Sequence, residues 1–150
     1  MSIGEICNRE VIIAKKQDSI LEIAQLMRAH HVGSIVVIEE IDGSIKKPAG
    51  IITDRDLVIE IMAKQADMDM ITAGDIMSFD LVVARESDGI WETMQLMRQH
   101  GVRRIPVVND KESLIGILTA DDLVELFSGE MNDLARIIRQ EQHLEQIKRE

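Results

Sequence analysis

The sequence predicts an α/β fold, or more narrowly α+β, made of two β-α-β-β-α units related by a pseudo-twofold axis and packed through their sheets, with a helix appended at the C-terminus. Three observations predict it. The chain aligns on itself, each copy alternates β-branched runs with helical periodicity, and the last twenty residues carry apolar side chains at three-to-four spacing.

Residues 3–38 lie over 73–108 at an offset of 70, with 14 identities in 36 positions. Gly4/Gly74, Asp18/Asp88, Glu22/Glu92 and the run Gln25-Leu26-Met27-Arg28 with Gln95-Leu96-Met97-Arg98 all match. The register then slips, and Gly50–Leu57 matches Gly116–Leu123 at an offset of 66, so the first copy carries four extra residues. They fall in the polar stretch Glu39–Pro48, where an insertion costs little.

Within each copy Ile3–Cys7 and Ala73–Met77 read as a short leading turn. Val11-Ile12-Ile13 and Leu81-Val82-Val83 are β-branched runs expected to be strands. Helices follow over Ser19–His30 and Asp88–His100, opened by Asp18/Ser19 before Glu22 and by Ser87/Asp88 before Glu92. Ile35–Ile38 with Ala49–Thr53, and Ile105–Val108 with Leu114–Thr119, read as buried hairpins. Thr53–Lys64 and Thr119–Ser128 are the closing helices. The expected boundaries are 1–64 for the first domain, 65–72 for a linker, 73–128 for the second domain and 129–150 for the terminal helix, whose stripe is Met131, Leu134, Ile137, Ile138, Leu144 and Ile147. A single unit of about 60 residues buries too little surface to be secure alone, and two can cover each other's sheets.

Composition narrows the partners. With two Phe, one Trp and no Tyr the core must be aliphatic. A net charge of −10 opposes phosphate backbones and anionic lipid, which makes nucleic acid and membrane surfaces poor partners. Cys7 is the only cysteine, so neither a disulfide framework nor a paired-cysteine metal motif is expected. Residues 1–10 lack the basic-then-apolar pattern of a signal peptide, and no apolar run approaches the roughly 20 residues that span a bilayer. A cytoplasmic protein is the expectation.

The chemistry concentrates at Gly50-Ile51-Ile52-Thr53-x-x-Asp56 and Gly116-Ile117-Leu118-Thr119-x-x-Asp122. Each places a Thr at the end of a buried strand and an Asp in the first turn of the next helix. That spacing is close to a capping box, and the carboxylate complements the helix dipole. The same junction also presents free N–H groups, a hydroxyl and a carboxylate that can accept from the two hydroxyls of a ribose.

A duplicated β-α-β-β-α unit that ends each copy in this motif resembles a tandem cystathionine β-synthase (CBS) domain pair, or Bateman module. His100–Val108 and Gly116–Leu123 are particularly close to that pattern, and the resemblance covers residues 1 to about 128. It implies an adenosine-containing ligand (AMP, ADP, ATP, S-adenosylmethionine or a dinucleotide) in the cleft between the copies. It implies ribose contacts from Asp56 and Asp122, with Thr53 and Thr119 beside them, and an adenine pocket from Ile12, Ile13, Val82 and Val83. It places Arg103 and Arg104 where the family often carries phosphate-binding bases, with Arg55 as a further candidate. The aligned pair in the first copy, Gly33-Ser34, supplies no charge, so the clefts should differ in phosphate affinity.

His30, His31 and His100 lie at helix C-termini, where they suit the dipole, and no regular ligand spacing accompanies them; no metal and no required cofactor are expected. Trp91, Met27, Met94 and Met97 are expected to pack. The first and closing helices are apolar on more than one face, which points to a second copy as partner and agrees with the family's habit of dimerising there. No nucleophile elbow, Gly-rich phosphate loop or paired Cys/His is present, so an enzyme is not expected. The leading reading is a sensor whose occupancy changes the angle between copies or protomers and acts in trans on an unidentified effector protein. The alternative is a structural dimerisation module with no physiological nucleotide.

Overall fold

The computed structural model describes residues 1–78 and 80–149. The chain divides into two compact units, Met1–Leu118 and Thr119–Glu150. The first unit begins with the short helix α1 (Ile3–Ile6), strand β1 (Ile13–Lys15), helix α2 (Ile20–His30) and strands β2 (Ser34–Ile41) and β3 (Ile45–Thr53). Helix α3 (Asp54–Asp56) continues as a π-helical turn over Leu57–Met62. The second copy then supplies α4 (Ala73–Ile76), β4 (Ala84–Arg85), α5 (Ile90–His100), β5 (Arg104–Val108) and β6 (Leu114–Thr119). The last helix, α6, spans Ala120–Arg149.

Each copy forms a three-stranded sheet, ordered β1-β2-β3 and β4-β5-β6, in which the first pair is parallel. A parallel pair needs a crossover, and α2 and α5 supply it. The register sets Ile13 beside Val36 and Val36 beside Ile51. One face of the first sheet takes α2: Ile23 and Met27 bury against Ala14, Ile35, Val37 and Ile52. The opposite face carries Val36 and Ile38, which cluster with Ile117, Ile51 and Leu114 from both sheets. The predicted sheet-to-sheet core is therefore present.

The leading helices are exchanged. Ile3 and Gly4 donate their N–H groups to Asp88 and Glu86 of the second copy (2.9 and 3.0 Å), and Ala73 and Gly74 donate to Asp18 and Lys16 of the first (2.8 and 2.9 Å). Asn8 and Ile117 then exchange two backbone bonds of 2.9 Å, and Ser78 donates to the Ile51 carbonyl at 3.2 Å. Each repeat thus has its first helix seated on the other.

Several expectations shift. The strands expected at Val11–Ile13 and Leu81–Val83 begin later, at Ile13 and Ala84. Parallel pairing to β2 and β5 sets the start, and the carboxylates of Asp18 and Asp88 accept from the N–H of Lys15 and Arg85 (both 2.8 Å), closing the turn beyond. The cap of α5 is Gly89 rather than Ser87 or Asp88, because Asp88 is committed to that turn. The inserted residues do not form a loop. They lengthen β2 and β3 into an arm, closed by Asp42 and Gly43 at φ 53° and 71°, with Glu39 opposite Lys47 and Glu40 opposite Lys46. The two helices expected over Thr119–Ser128 and Met131–Glu150 are one, running through Gly129; a glycine inside a helix costs about 1 kcal/mol, too little to break it. Glu150 itself lies outside the described residues. Trp91, expected to pack, is 66% exposed, whereas Met27 and Met97 are buried.

Candidate ligand-binding site

Each motif opens on a glycine for a reason of space. A Cβ on Gly50 would stand 2.7 Å from the Met77 sulfur and 2.8 Å from the Ser78 carbonyl oxygen. One on Gly116 would stand 2.7 Å from Cys7 Sγ and 2.9 Å from the Asn8 carbonyl oxygen. Both glycines lie where the other copy's leading helix ends against the motif strand, so the motif joins the copies as well as presenting its polar residues.

At the strand ends the capping box is formed. Asp56 Oδ2 accepts from the Thr53 N–H at 2.8 Å, and Thr53 Oγ1 accepts from the Asp56 N–H at 3.3 Å. In the second unit Asp122 and Thr119 repeat this at 3.0 and 3.1 Å. All four residues are half-buried. Each carboxylate spends only Oδ2 on its cap, and among the described residues no hydrogen bond reaches Oδ1 of either. Capping and ligand contact are thus compatible in one side chain.

The sheet register brings the other first-copy candidates to the same end. Thr53 pairs beside Ser34, two residues beyond the row of Ile13, Val36 and Ile51. Apolar and polar groups therefore stand across two strand spacings, about 10 Å. Ile12 and Ile13 are half-buried, and the Ile12 carbonyl accepts from the Val36 N–H at 3.1 Å. Val82 is half-buried and Val83 is 39% exposed, both just ahead of β4.

The basic residues separate. Half-buried Arg104 reaches across to the first copy, and its guanidinium lies 3.5 Å from where a Gly33 Cβ would stand, with Asp54 Oδ2 3.2 Å from the same point. Gly33 also accepts from the Asp54 N–H at 3.0 Å, which ties the start of β2 to the start of α3. Arg103 and Arg55 are exposed. Asp54 was not singled out from the sequence, and Gly33 was read there only as a position that supplies no charge. The signal was the alignment of Gly33 with Arg103: the first copy lacks a side chain there, which leaves room for Arg104 of the second.

His31 and Gly101 follow the helices at φ 54° and 63°, the left-handed positions that close α2 and α5. Among the described residues no group of three His, Cys, Asp or Glu side chains is placed to hold a metal ion. No helix of those residues is long and apolar enough to cross a membrane.

Comparison with known proteins follows the two sequence repeats. The CBS domain model matches twice, over residues 3–63 and 73–129. The chain therefore belongs to the CBS domain family and carries two copies in tandem. It is 39% identical over 126 residues to the protein MK0525 of Methanopyrus kandleri, covering 84% of this chain and 62% of that one. It is 34% identical over 122 residues to the CBS domain-containing protein YhcV of Bacillus subtilis, covering 81% and 82%. The structure superposes on the CBS domain pair of protein MJ0100, solved with 5′-methylthioadenosine and S-adenosyl-L-methionine, at a TM-score of 0.74 and 25% identity, covering 87% and 98% of the two chains.

Proposed function

We propose that this chain is a regulatory module that binds an adenosine-containing small molecule and passes its occupancy to a partner, and that it catalyses nothing itself. The observation that carries the reading is the pair of Thr–Asp caps whose carboxylates use Oδ2 and, among the described residues, leave Oδ1 without a hydrogen bond. An adjacent diol is the group such an oxygen accepts from at a strand-to-helix junction. The relative MJ0100 is seen with two adenosyl compounds, which supports the same ligand class here. Ile12, Ile13, Val82 and Val83 supply apolar surface for a base. Arg104 meets a phosphate or carboxylate of the ligand, with Arg103 and Arg55 as outer cations.

Association of two copies belongs to the same proposal. Val58, Ile59 and Met62 on the π-turn, with Leu21 and Trp91 on the first helices, are exposed large side chains on the faces expected to meet a partner. The rival reading, a dimerisation module without ligand, is favoured by those faces and by caps that the fold alone explains.

Calorimetry with AMP, ATP and S-adenosylmethionine separates the two. Binding of at least one, weakened at least about tenfold in Asp56→Asn or Asp122→Asn, is expected, since one lost charge-assisted hydrogen bond is worth about 1.5–3 kcal/mol. Asparagine keeps a capping oxygen, so the fold is retained. No heat with any of the three, or unchanged affinity in both variants, defeats the ligand reading. Light scattering at micromolar concentration reads the association, and a monomer defeats that part.

A further inference from the structure

The arm of the first copy rests on the second. Lys46 donates its N–H to Ser113 Oγ at 3.1 Å, and Lys47 Nζ stands 3.8 Å from a Glu112 carboxylate oxygen. Between the arm and the second sheet lies a cavity of about 300 Å³, a volume at the small end for ligand sites. Its apolar lining is Pro48, Val83 and Val108, and Arg85, Asp88 and the Lys47–Glu112 pair stand around it. Of the residues proposed for an adenosine compound it includes Val83 alone. It lies toward the other end of the strands, about 13 Å along β5 from Arg104 and about 20 Å along β3 from Thr53.

The repeat supplies its own control. Ile13, Lys15, Asp18 and Ile38 of the first copy align with Val83, Arg85, Asp88 and Val108 of the second. The two aspartates act alike, each accepting from the backbone N–H three residues before it. The cations differ. Lys15 pairs with Glu40 of its own arm at 3.7 Å. The Arg85 guanidinium has no ion pair or hydrogen bond among the described residues. β5 ends at Val108 and the chain turns at once through Asn109–Glu112, so no strand continues to bring an acid beside it. A guanidinium left over an apolar surface is matched by a carboxylate in forked contact. The same cavity also offers acceptors for a cation. Asp88 commits only Oδ2 to its turn, and Glu112 stands beyond hydrogen-bond length from Lys47. Charges of both signs around an apolar lining fit a small zwitterion with an apolar side chain.

We propose that the arm and the second repeat form a site for a free apolar α-amino acid of about the size of leucine. Its carboxylate meets Arg85, its ammonium lies toward Asp88 and Glu112, and its side chain rests on Pro48, Val83 and Val108. Lys47 and Pro48 come from the first copy and the other lining residues from the second, so the occupant bridges the two repeats. The inference does not rest on the adenosine reading, and its test tells the two sites apart.

The test is an NMR titration of the full chain with leucine, isocaproate and isoamylamine, the last two being leucine without its amino group and without its carboxylate. Leucine is expected to saturate below about 10 mM and to shift the amide signals of Lys47, Arg85 and Asp88. Each analogue is expected to bind at least about tenfold more weakly, because each forfeits one charge-assisted contact. Arg85→Gln is expected to weaken leucine by a similar factor. Arg85 is exposed, so that variant keeps its fold, and the same spectra report it. Asp56→Asn and Asp122→Asn are expected to leave leucine affinity unchanged. Absence of saturable shifts with leucine overturns the site. Isocaproate or isoamylamine binding as tightly as leucine overturns the zwitterion, and unchanged affinity in Arg85→Gln overturns the carboxylate contact. Loss of leucine binding in Asp56→Asn or Asp122→Asn would place leucine in the adenosine clefts and overturn a separate site.

Discussion

At the scale of single residues, the two motif aspartates show how a capping side chain can leave an oxygen over for a ligand. Asp56 and Asp122 each close a cap through Oδ2, and among the described residues no hydrogen bond reaches Oδ1. The capping reading of Thr-x-x-Asp was legible in the sequence, and the structure contains it; what the sequence did not disclose is that the cap leaves an oxygen over. Gly33 was less legible still, because a missing side chain carries no signal until its neighbour is known. The space it leaves holds Arg104 from one side and Asp54 from the other. A ligand phosphate beside Arg104 would therefore also meet the Asp54 carboxylate, so the first cleft should tolerate AMP or S-adenosylmethionine better than ATP. Replacing Asp54 with asparagine is expected to raise ATP affinity about three- to tenfold, the size of one like-charge contact near a surface, and to leave adenosine unchanged. Calorimetry with both ligands checks this, and equal change in both would remove Asp54 from the phosphate's surroundings.

At the scale of elements, order and type were legible, and boundaries moved where side chains compete for turns. Asp18 and Asp88 look like helix caps in sequence, yet each accepts from the residue three before it, and β1 and β4 end there. Hydrophobic periodicity cannot report such local commitments. The continuous α6 is a second case. Gly129 punctuates the sequence as a stop, but its φ is not positive and a Cβ there would meet nothing within 4 Å. Gly129→Ala is therefore expected to stabilise the chain by about 0.5–1 kcal/mol, the helix propensity difference, with ligand affinity unchanged. The opposite holds at the end of α5: Gly101 sits at φ 63°, where alanine is expected to cost about 1 kcal/mol. Its counterpart His31 already bears that strain at φ 54°, so His31→Gly should relieve part of it. Urea unfolding of the three variants reads all three signs, and a destabilised Gly129→Ala would show that α6 needs a flexible point there.

At the scale of the whole first unit, the repeat was legible but the exchange of its leading helices was not, since an alignment of two copies cannot say which copy a short helix caps. The exchange makes each motif strand depend on the other repeat. Gly50 receives the end of α4 and Gly116 the end of α1, each with backbone or sulfur atoms under 3 Å from a would-be Cβ. A methyl group at either site must push the other copy's helix away, and overpacking of this kind costs about 1–3 kcal/mol. Gly50→Ala and Gly116→Ala are therefore each expected to lower stability by that amount. Because every displaced contact joins the two repeats, both variants should still unfold in one transition, with fluorescence of Trp91 in the second copy and far-UV dichroism of the entire chain coinciding. Independent repeats would behave otherwise: Gly50→Ala would leave the fluorescence transition of the second copy in place while the dichroism split into two steps. Loss of coincidence would mean that the exchanged helices are ornaments on two separate domains. Coincident transitions would mean that strain at one motif is felt at both, which is the coupling a two-cleft sensor requires.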